Sequence, residues 1–299
     1  METGILLESG TNELEILEFT VGGNNYGINV AKISEILPYR QSTPVPNAHP
    51  CIEGIFMPRD IVISIINLSK SLNLPEAQDK SHDMYIVTNF NQLNTAFHVN
   101  SVEGIHRVSW SDIVKPDVTI NNAGSGVATG IIKLDSKLII ILDFEKIVSE
   151  VSPETGLKIS DVQKYSNRSR NTTPLLMAED SPLLSKLIFD CLNQAGYSNV
   201  VTTSNGKEAW DKLCEYKNTG NVADKVACVI TDIEMPQMDG HRLTKLIKDD
   251  SDLTDVPVII FSSLINDDMR KKGESLGANA QLSKPEIGQL VEAIDKLVL

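Results

Sequence analysis

Between residues 150 and 174 the hydrophobic rhythm of this chain changes, and no single layer architecture accommodates what lies on both sides. Up to about residue 150, short apolar runs at 61–66, 85–87 and 138–142 are separated by polar segments and turn residues. Leu17, Phe19 and Val21 alternate, Gly22-Gly23-Asn24-Asn25 supplies a turn, and Tyr26, Ile28 and Val30 alternate again. That is a hairpin pattern, because Gly and Asn tolerate the positive φ of a tight turn. The expectation for this half is an all-β barrel or sandwich.

From residue 174 the pattern becomes strand, helix, strand. Residues 175–178 form an apolar run, and Ser181-Pro182 then opens a helix, with serine as cap and proline at the first helical position. Leu184, Ile188, Cys191 and Ala195 share one face of it. Apolar runs at 199–203, 227–231 and 256–261 alternate with further helical patterns. A last helix buries Ile287, Leu290, Val291, Ile294 and Leu297. Five βα units predict a parallel sheet with helices on both faces. The stretch 166–173 has no apolar residue, so it reads as linker, preceded by a short helix at 160–165. Arg168 and Arg170 within it read as solvated charge, and 216–225 as a surface insertion. The expected division is a tail at 1–11, a first domain at 12–150, a linker at 151–173 and a second domain at 174–299.

Composition excludes some functions. With 27 Lys+Arg against 40 Asp+Glu the net charge is −13, which argues against sequence-independent binding to nucleic acid. No apolar run reaches the ~18 residues of a spanning helix, and no basic leader precedes Lys32. Four cysteines without a C-x-x-C suggest neither a zinc site nor a disulfide framework. A cytoplasmic protein without direct membrane insertion is expected. With Leu299 as the last residue, no DNA-binding domain is expected after the second domain, and its output is expected in the first half.

Open parallel sheets place their ligands at the carboxyl ends of the strands. Those ends carry Glu179-Asp180, Asp232, Ser262 and Lys284. Three carboxylates at one edge repel each other, and a divalent cation relieves the repulsion; Mg²⁺ suits an all-oxygen site that also admits a phosphate. A carboxylate beside such an ion can act as a nucleophile toward phosphorus. Lys284 would neutralise phosphoryl oxygens and Ser262 would hydrogen-bond one.

Glu179-Asp180, Thr231-Asp232-Ile-Glu-Met-Pro236-Gln-Met-Asp239-Gly240, Ser262-Ser263 and Lys284-Pro285 together resemble the receiver domain of two-component response regulators, with its flavodoxin-like (βα)5 fold. The resemblance implies that Asp232 accepts phosphate from a histidine kinase. It implies further that Glu179, Asp180, Asp232 and the backbone carbonyl of Glu234 hold Mg²⁺, with Ser262 as the switch hydroxyl. Two positions depart from the family pattern: Glu179 stands where aspartate is commoner, and Gln281 where many receivers place a switching Tyr or Phe. An aromatic switch is therefore not expected, and a change of packing against the other domain or a partner takes its place.

The first half offers no catalytic constellation, and His49, His82, His98 and His106 are not spaced as metal ligands. Residues 18–36, 52–68, 97–105 and 129–146 resemble, in order, the CheW-like coupling domain, whose fold is two SH3-like barrels. Such domains bridge the cytoplasmic tips of chemoreceptors and the histidine kinase CheA. The resemblance points to Ile33, Glu35 and Arg59 on the partner-facing surface, against the alternatives of barrel core for Ile33 and a local pair with Asp60 for Arg59. A CheW-like domain joined to a receiver is the arrangement of the CheV family of chemotaxis coupling proteins. It implies a phosphorylation-controlled adaptor, recruited to membrane-bound receptor arrays. A phosphate sink that drains CheA is the alternative, and a small ligand in a barrel mouth ranks last.

Overall fold

The computed structural model describes residues 12–90, 93–116, 126–134, 137–152, 165, 168–284 and 286–299. The expected tail at 1–11 and most of the helix at 160–165 lie outside them. The chain divides into two compact units, Glu13–Thr155 and Gly156–Leu299, the latter also taking in Asn12.

The first unit is all-β apart from short helices. In chain order it runs β1 (Glu13–Val21), β2 (Asn24–Asn29), β3 (Ile33–Pro38), β4 (Ile52–Phe56), β5 (Ile63–Asn67), α1 (Leu68–Ser71), β6 (Met84–Phe90), β7 (Leu93–Val99), β8 (Ser101–Ser109), β9 (Ala128–Leu134), β10 (Lys137–Leu142) and α2 (Phe144–Val151). Two five-stranded sheets result, in the orders β8-β1-β2-β10-β9 and β3-β6-β7-β5-β4. The first hairpin turns on two residues rather than four. Gly22 and Gly23 both have positive φ, and Asn24 already pairs with Val21.

Three cores stack within this unit. Leu14, Ile16, Ile132 and Ile139 fill the first sheet, and Ile63, Ile65, Tyr85 and Val87 fill the second. Between them Phe19, Ile28, Ile86, Phe97 and Phe144 form a shared core drawn from both sheets and α2. β1 serves two of these cores, with alternate residues on opposite faces, so Ile16, Leu17 and Phe19 are all buried. The run at 61–66 enters its strand only at Ile63; Ile61 and Val62, in the β4–β5 loop with Met57, are exposed.

His98 is held by two carboxylates. Inside the second sheet's unit, His98 lies between Glu53 (Nδ1 to Oε2, 2.6 Å) and Asp83 (Nε2 to Oδ2, 2.8 Å), stacked on Tyr39. Burial by itself raises the Glu53 pKa, but the His98 hydrogen bond and charge, with Lys80 and Lys70, outweigh it and hold the carboxyl below 4.5. Its stabilising contribution is therefore complete at neutral pH and is lost as pH falls through that lowered value. Glu53→Gln is expected to cost about 1–3 kcal/mol near pH 7 and progressively less as the pH is lowered below the ordinary carboxylate range. Denaturant unfolding across a series of acidic pH values checks this; a loss independent of pH would refute it.

The second unit alternates β11 (Leu175–Ala178), α3 (Pro182–Gln194), β12 (Val200–Thr203), α4 (Gly206–Thr219), β13 (Cys228–Thr231), α5 (Gly240–Asp249), β14 (Val258–Ser262), α6 (Asp267–Ser275), β15 (Ala280–Ser283) and α7 (Ile287–Val298). The sheet is parallel, in the flavodoxin-like order β12-β11-β13-β14-β15. Alternate residues face opposite layers. Leu175, Met177 and Ile230 pack with α3 and α7, whereas Leu176, Val229 and Val258 pack with α4 and α5. Side-chain caps start four of the helices: Ser181, Asn205, Asp239 and Asn266 accept from backbone N–H groups of the first turns of α3, α4, α5 and α6. The stretch expected as a surface insertion, 216–225, is the last turn of α4 and a 3₁₀ turn; it is mostly exposed, with Tyr216 buried and Val222 packed against the core beside α4. No helix among the described residues is long and apolar enough to cross a membrane.

Candidate phosphoryl-acceptor site

The switch point of this sheet lies between β11 and β13, where the strand order reverses. Ala178 pairs with Thr231 in parallel register, so the residues that follow, Glu179 and Asp232, emerge side by side. Ser262 pairs with Ser283, which delivers Lys284 to the same edge. Carboxylate oxygens of Glu179, Asp180 and Asp232 all lie within 4.8 Å of one another. Lys284 Nζ donates to Glu179 Oε2 at 2.6 Å and to Asp232 Oδ2 at 2.9 Å. These are buried groups, with Glu179 4%, Asp232 8% and Lys284 3% exposed.

Each group is oriented by its own strand end. The N–H of Ser181 donates to Glu179 Oε1 (3.2 Å), and the N–H of Ile233 to Asp232 Oδ1 (2.6 Å). Burial pushes the Glu179 carboxyl up; Lys284 opposes the rise and Asp232 adds to it. Ser262 is buried at the end of β14, and its Oγ accepts from Leu264 N–H at 3.2 Å. Glu234 is half-buried in the loop after Asp232. Pro285 lies outside the described residues.

Three carboxylates face one ammonium, an imbalance that a divalent cation would neutralise. The donors are all oxygen, the set that suits Mg²⁺ rather than a softer metal. One residue in the quoted motif has a role that its letter alone does not give. A Cβ on Gly240 would lie 1.9 Å from the carbonyl oxygen of Asp232, so only glycine lets α5 start this close beneath Asp232. The Asp-Gly pair before an amphipathic helix, with Asp239 as cap, was its sequence signal.

Gln281 is buried and turned against α6. Its Nε2 donates to the Arg270 carbonyl at 2.7 Å, in space left by the missing side chain of Gly273. Of the surface residues expected in the first unit, Ile33 is half-buried against the shared core. Arg59 pairs with Glu35 at 3.0 Å rather than with its neighbour Asp60.

Family comparison agrees with this architecture. Residues 15–152 match the CheW-like domain, and residues 175–295 match the response regulator receiver domain. The chain is 28% identical to chemotaxis protein CheV3 of Helicobacter pylori, covering 96% of this chain and 95% of that one. It is 28% identical to CheV2 of the same organism, at 95% coverage of each. The receiver half is 35% identical to Helicobacter pylori CheY1 over 30% of this chain and 66% of that protein. The chain therefore carries a CheW-like domain followed by a response regulator receiver domain. Its relatives over nearly the whole length are CheV chemotaxis proteins.

Proposed function

We propose that this protein is a chemotaxis adaptor that couples chemoreceptors to the histidine kinase CheA and is regulated by phosphorylation of Asp232. The observation that carries the reading is the cluster of buried Glu179 and Asp232 with half-buried Asp180, and Lys284 on the Asp232 carboxylate. In the transfer, a carboxylate oxygen of Asp232 attacks phosphorus while the P–N bond to the donor's imidazole breaks, leaving an acyl phosphate on Asp232. Glu179, Asp180, Asp232 and the carbonyl of Glu234 would hold Mg²⁺, which supplies charge neutralisation on the phosphoryl oxygens when bound. Lys284 lies ready to add its charge, and the Ser262 hydroxyl to hydrogen-bond one of those oxygens. The chain modifies itself and has no separate substrate to turn over, so it is an adaptor rather than an enzyme. Ile33, Glu35 and Arg59 form part of the receptor- or kinase-facing surface, and this binding recruits a cytoplasmic protein to membrane-bound arrays.

The direct test measures affinity for receptor and kinase with and without beryllofluoride and Mg²⁺. A change in either affinity supports regulated coupling. Phosphate uptake and rapid hydrolysis with unchanged affinities would overturn it in favour of a phosphate sink. A second expectation concerns Lys284→Met, which removes the cation between two buried carboxylates. Receiver stability is expected to fall by about 3–5 kcal/mol at neutral pH, with partial recovery on adding Mg²⁺. Thermal melts with and without the ion check this.

A further inference from the structure

We infer that the segment just ahead of the receiver sheet is a clasp, closed on α7, that phosphorylation of Asp232 opens; the inference rests on the reading of Asp232 as phosphoryl acceptor. The sequence predicted a solvated linker here, yet Tyr165 is 7% exposed, within the core beside α3 and α7. Its hydroxyl donates to Glu292 Oε1 at 2.9 Å. Arg168 lies 4.4 Å over the Tyr165 ring and forms a two-pronged pair with Asp295, Nη1 to Oδ1 at 2.9 Å and Nη2 to Oδ2 at 2.7 Å. Guanidinium and carboxylate meet in the fork geometry that makes such pairs directional.

The same segment is fastened a second time, to the corner between α3 and β12. Asn171 N–H donates to the Gly196 carbonyl at 2.8 Å, and Ser198 N–H donates to the Asn171 carbonyl at 2.9 Å. Gly196 has a φ of +99°, and a Cβ there would lie 3.0 Å from the Ser169 carbonyl oxygen, so the corner is shaped to receive the strap. Asp295 also accepts from the Tyr197 hydroxyl at 2.6 Å, tying α7 to that corner through the carboxylate that holds Arg168. The strap thus spans two elements, and it stays closed only while their spacing is kept.

One of those elements is connected to the acceptor. α7 begins at Ile287, shortly after Lys284, whose Nζ bridges Asp232 and Glu179. A phosphoryl group on Asp232 adds charge and oxygens where Lys284 now sits, and draws the ammonium from Glu179. The backbone from Lys284 leads into α7, so α7 shifts against the α3–β12 corner and the strap cannot keep both anchors. Opening frees residues 168–173, on the order of 20 Å of extended chain, for the connection to the CheW-like unit. In this chain, where Gln281 replaces an aromatic switch, that gain in tether length is the output.

Hydrogen exchange on the full-length protein tests this, with beryllofluoride and Mg²⁺ as the phosphoryl mimic. Amides of residues 168–173 are expected to exchange about fivefold faster with the mimic. Arg168→Ala is expected to reach that rate without it and to gain less than about twofold on its addition. Tyr165→Phe, which keeps the buried ring and loses the hydroxyl's bonds to Glu292 and to the Gly288 carbonyl, is expected to lie between the two. Exchange in β13 is expected to be unchanged in both variants, separating an opened clasp from an unfolded receiver. Acetyl phosphate labelling of Asp232 is measured in parallel. Labelling with no change in 168–173, or a wild-type response in Arg168→Ala, overturns the clasp and leaves the phosphorylation reading intact. Absence of both labelling and mimic binding overturns both.

Discussion

Asp232→Ala is expected to leave a folded protein that takes up no phosphoryl group from CheA or from acetyl phosphate, a loss of at least about a thousandfold. Asp232 has no substitute within the cluster. Glu179 and Asp180 follow β11, whereas Asp232 follows the central β13. Removing the Asp232 carboxylate also lowers the repulsion among three acids, so receiver stability is expected to hold or rise slightly. Radiolabel counting after incubation with the phosphorylated kinase and Mg²⁺ reads the first effect, and denaturant unfolding the second. Label retained in the variant would place the acceptor elsewhere. In arrays, the same variant is expected to couple receptors to kinase with no dependence on phosphorylation.

Gly240→Ala is expected to do the opposite, damaging the fold and the site together. The added methyl meets the Asp232 carbonyl oxygen at 1.9 Å and its carbonyl carbon at 2.9 Å. Both are backbone atoms of a buried loop and cannot rotate aside. Gly240 N–H already donates to the Ile233 carbonyl at 2.9 Å, and the Thr244 hydroxyl to the Gly240 carbonyl at 2.7 Å, so relief requires breaking these bonds. The expected cost is about 3 kcal/mol of receiver stability, at the upper end for overpacking, with impaired phosphate uptake in the molecules that stay folded. Denaturant unfolding beside Asp232→Ala separates the two: one variant loses chemistry alone, the other both. Wild-type stability in Gly240→Ala would mean that the β13–α5 loop opens without cost.

Much of this was legible before any coordinates. The switch from a strand period to strand–helix alternation divides the chain, because each period buries an apolar face in only one kind of layer. Parallel strands buried on both faces must be apolar throughout, which exposes their polar ends, Glu179, Asp232, Ser262 and Lys284, as exceptions. Where patterning misled, local composition stood in for surroundings. The polar stretch after Tyr165 reads as linker because its anchors, Glu292 and Asp295, lie far along the chain. Glu18 shows the same limit: nothing around it signals a carboxylate that is 1% exposed and bonded to Lys137 and His106.

Sequence by itself determined the two folds and which polar residues end the strands at one sheet edge, since periodicity and strand-end chemistry are local properties. Tertiary structure alone decided the partners. It set Lys284 on two acids, turned Gln281 against α6, joined Arg59 to Glu35 and closed Arg168 on Asp295. A hydrogen bond or ion pair depends on a few tenths of an ångström between residues distant in the chain, and no local pattern carries that distance.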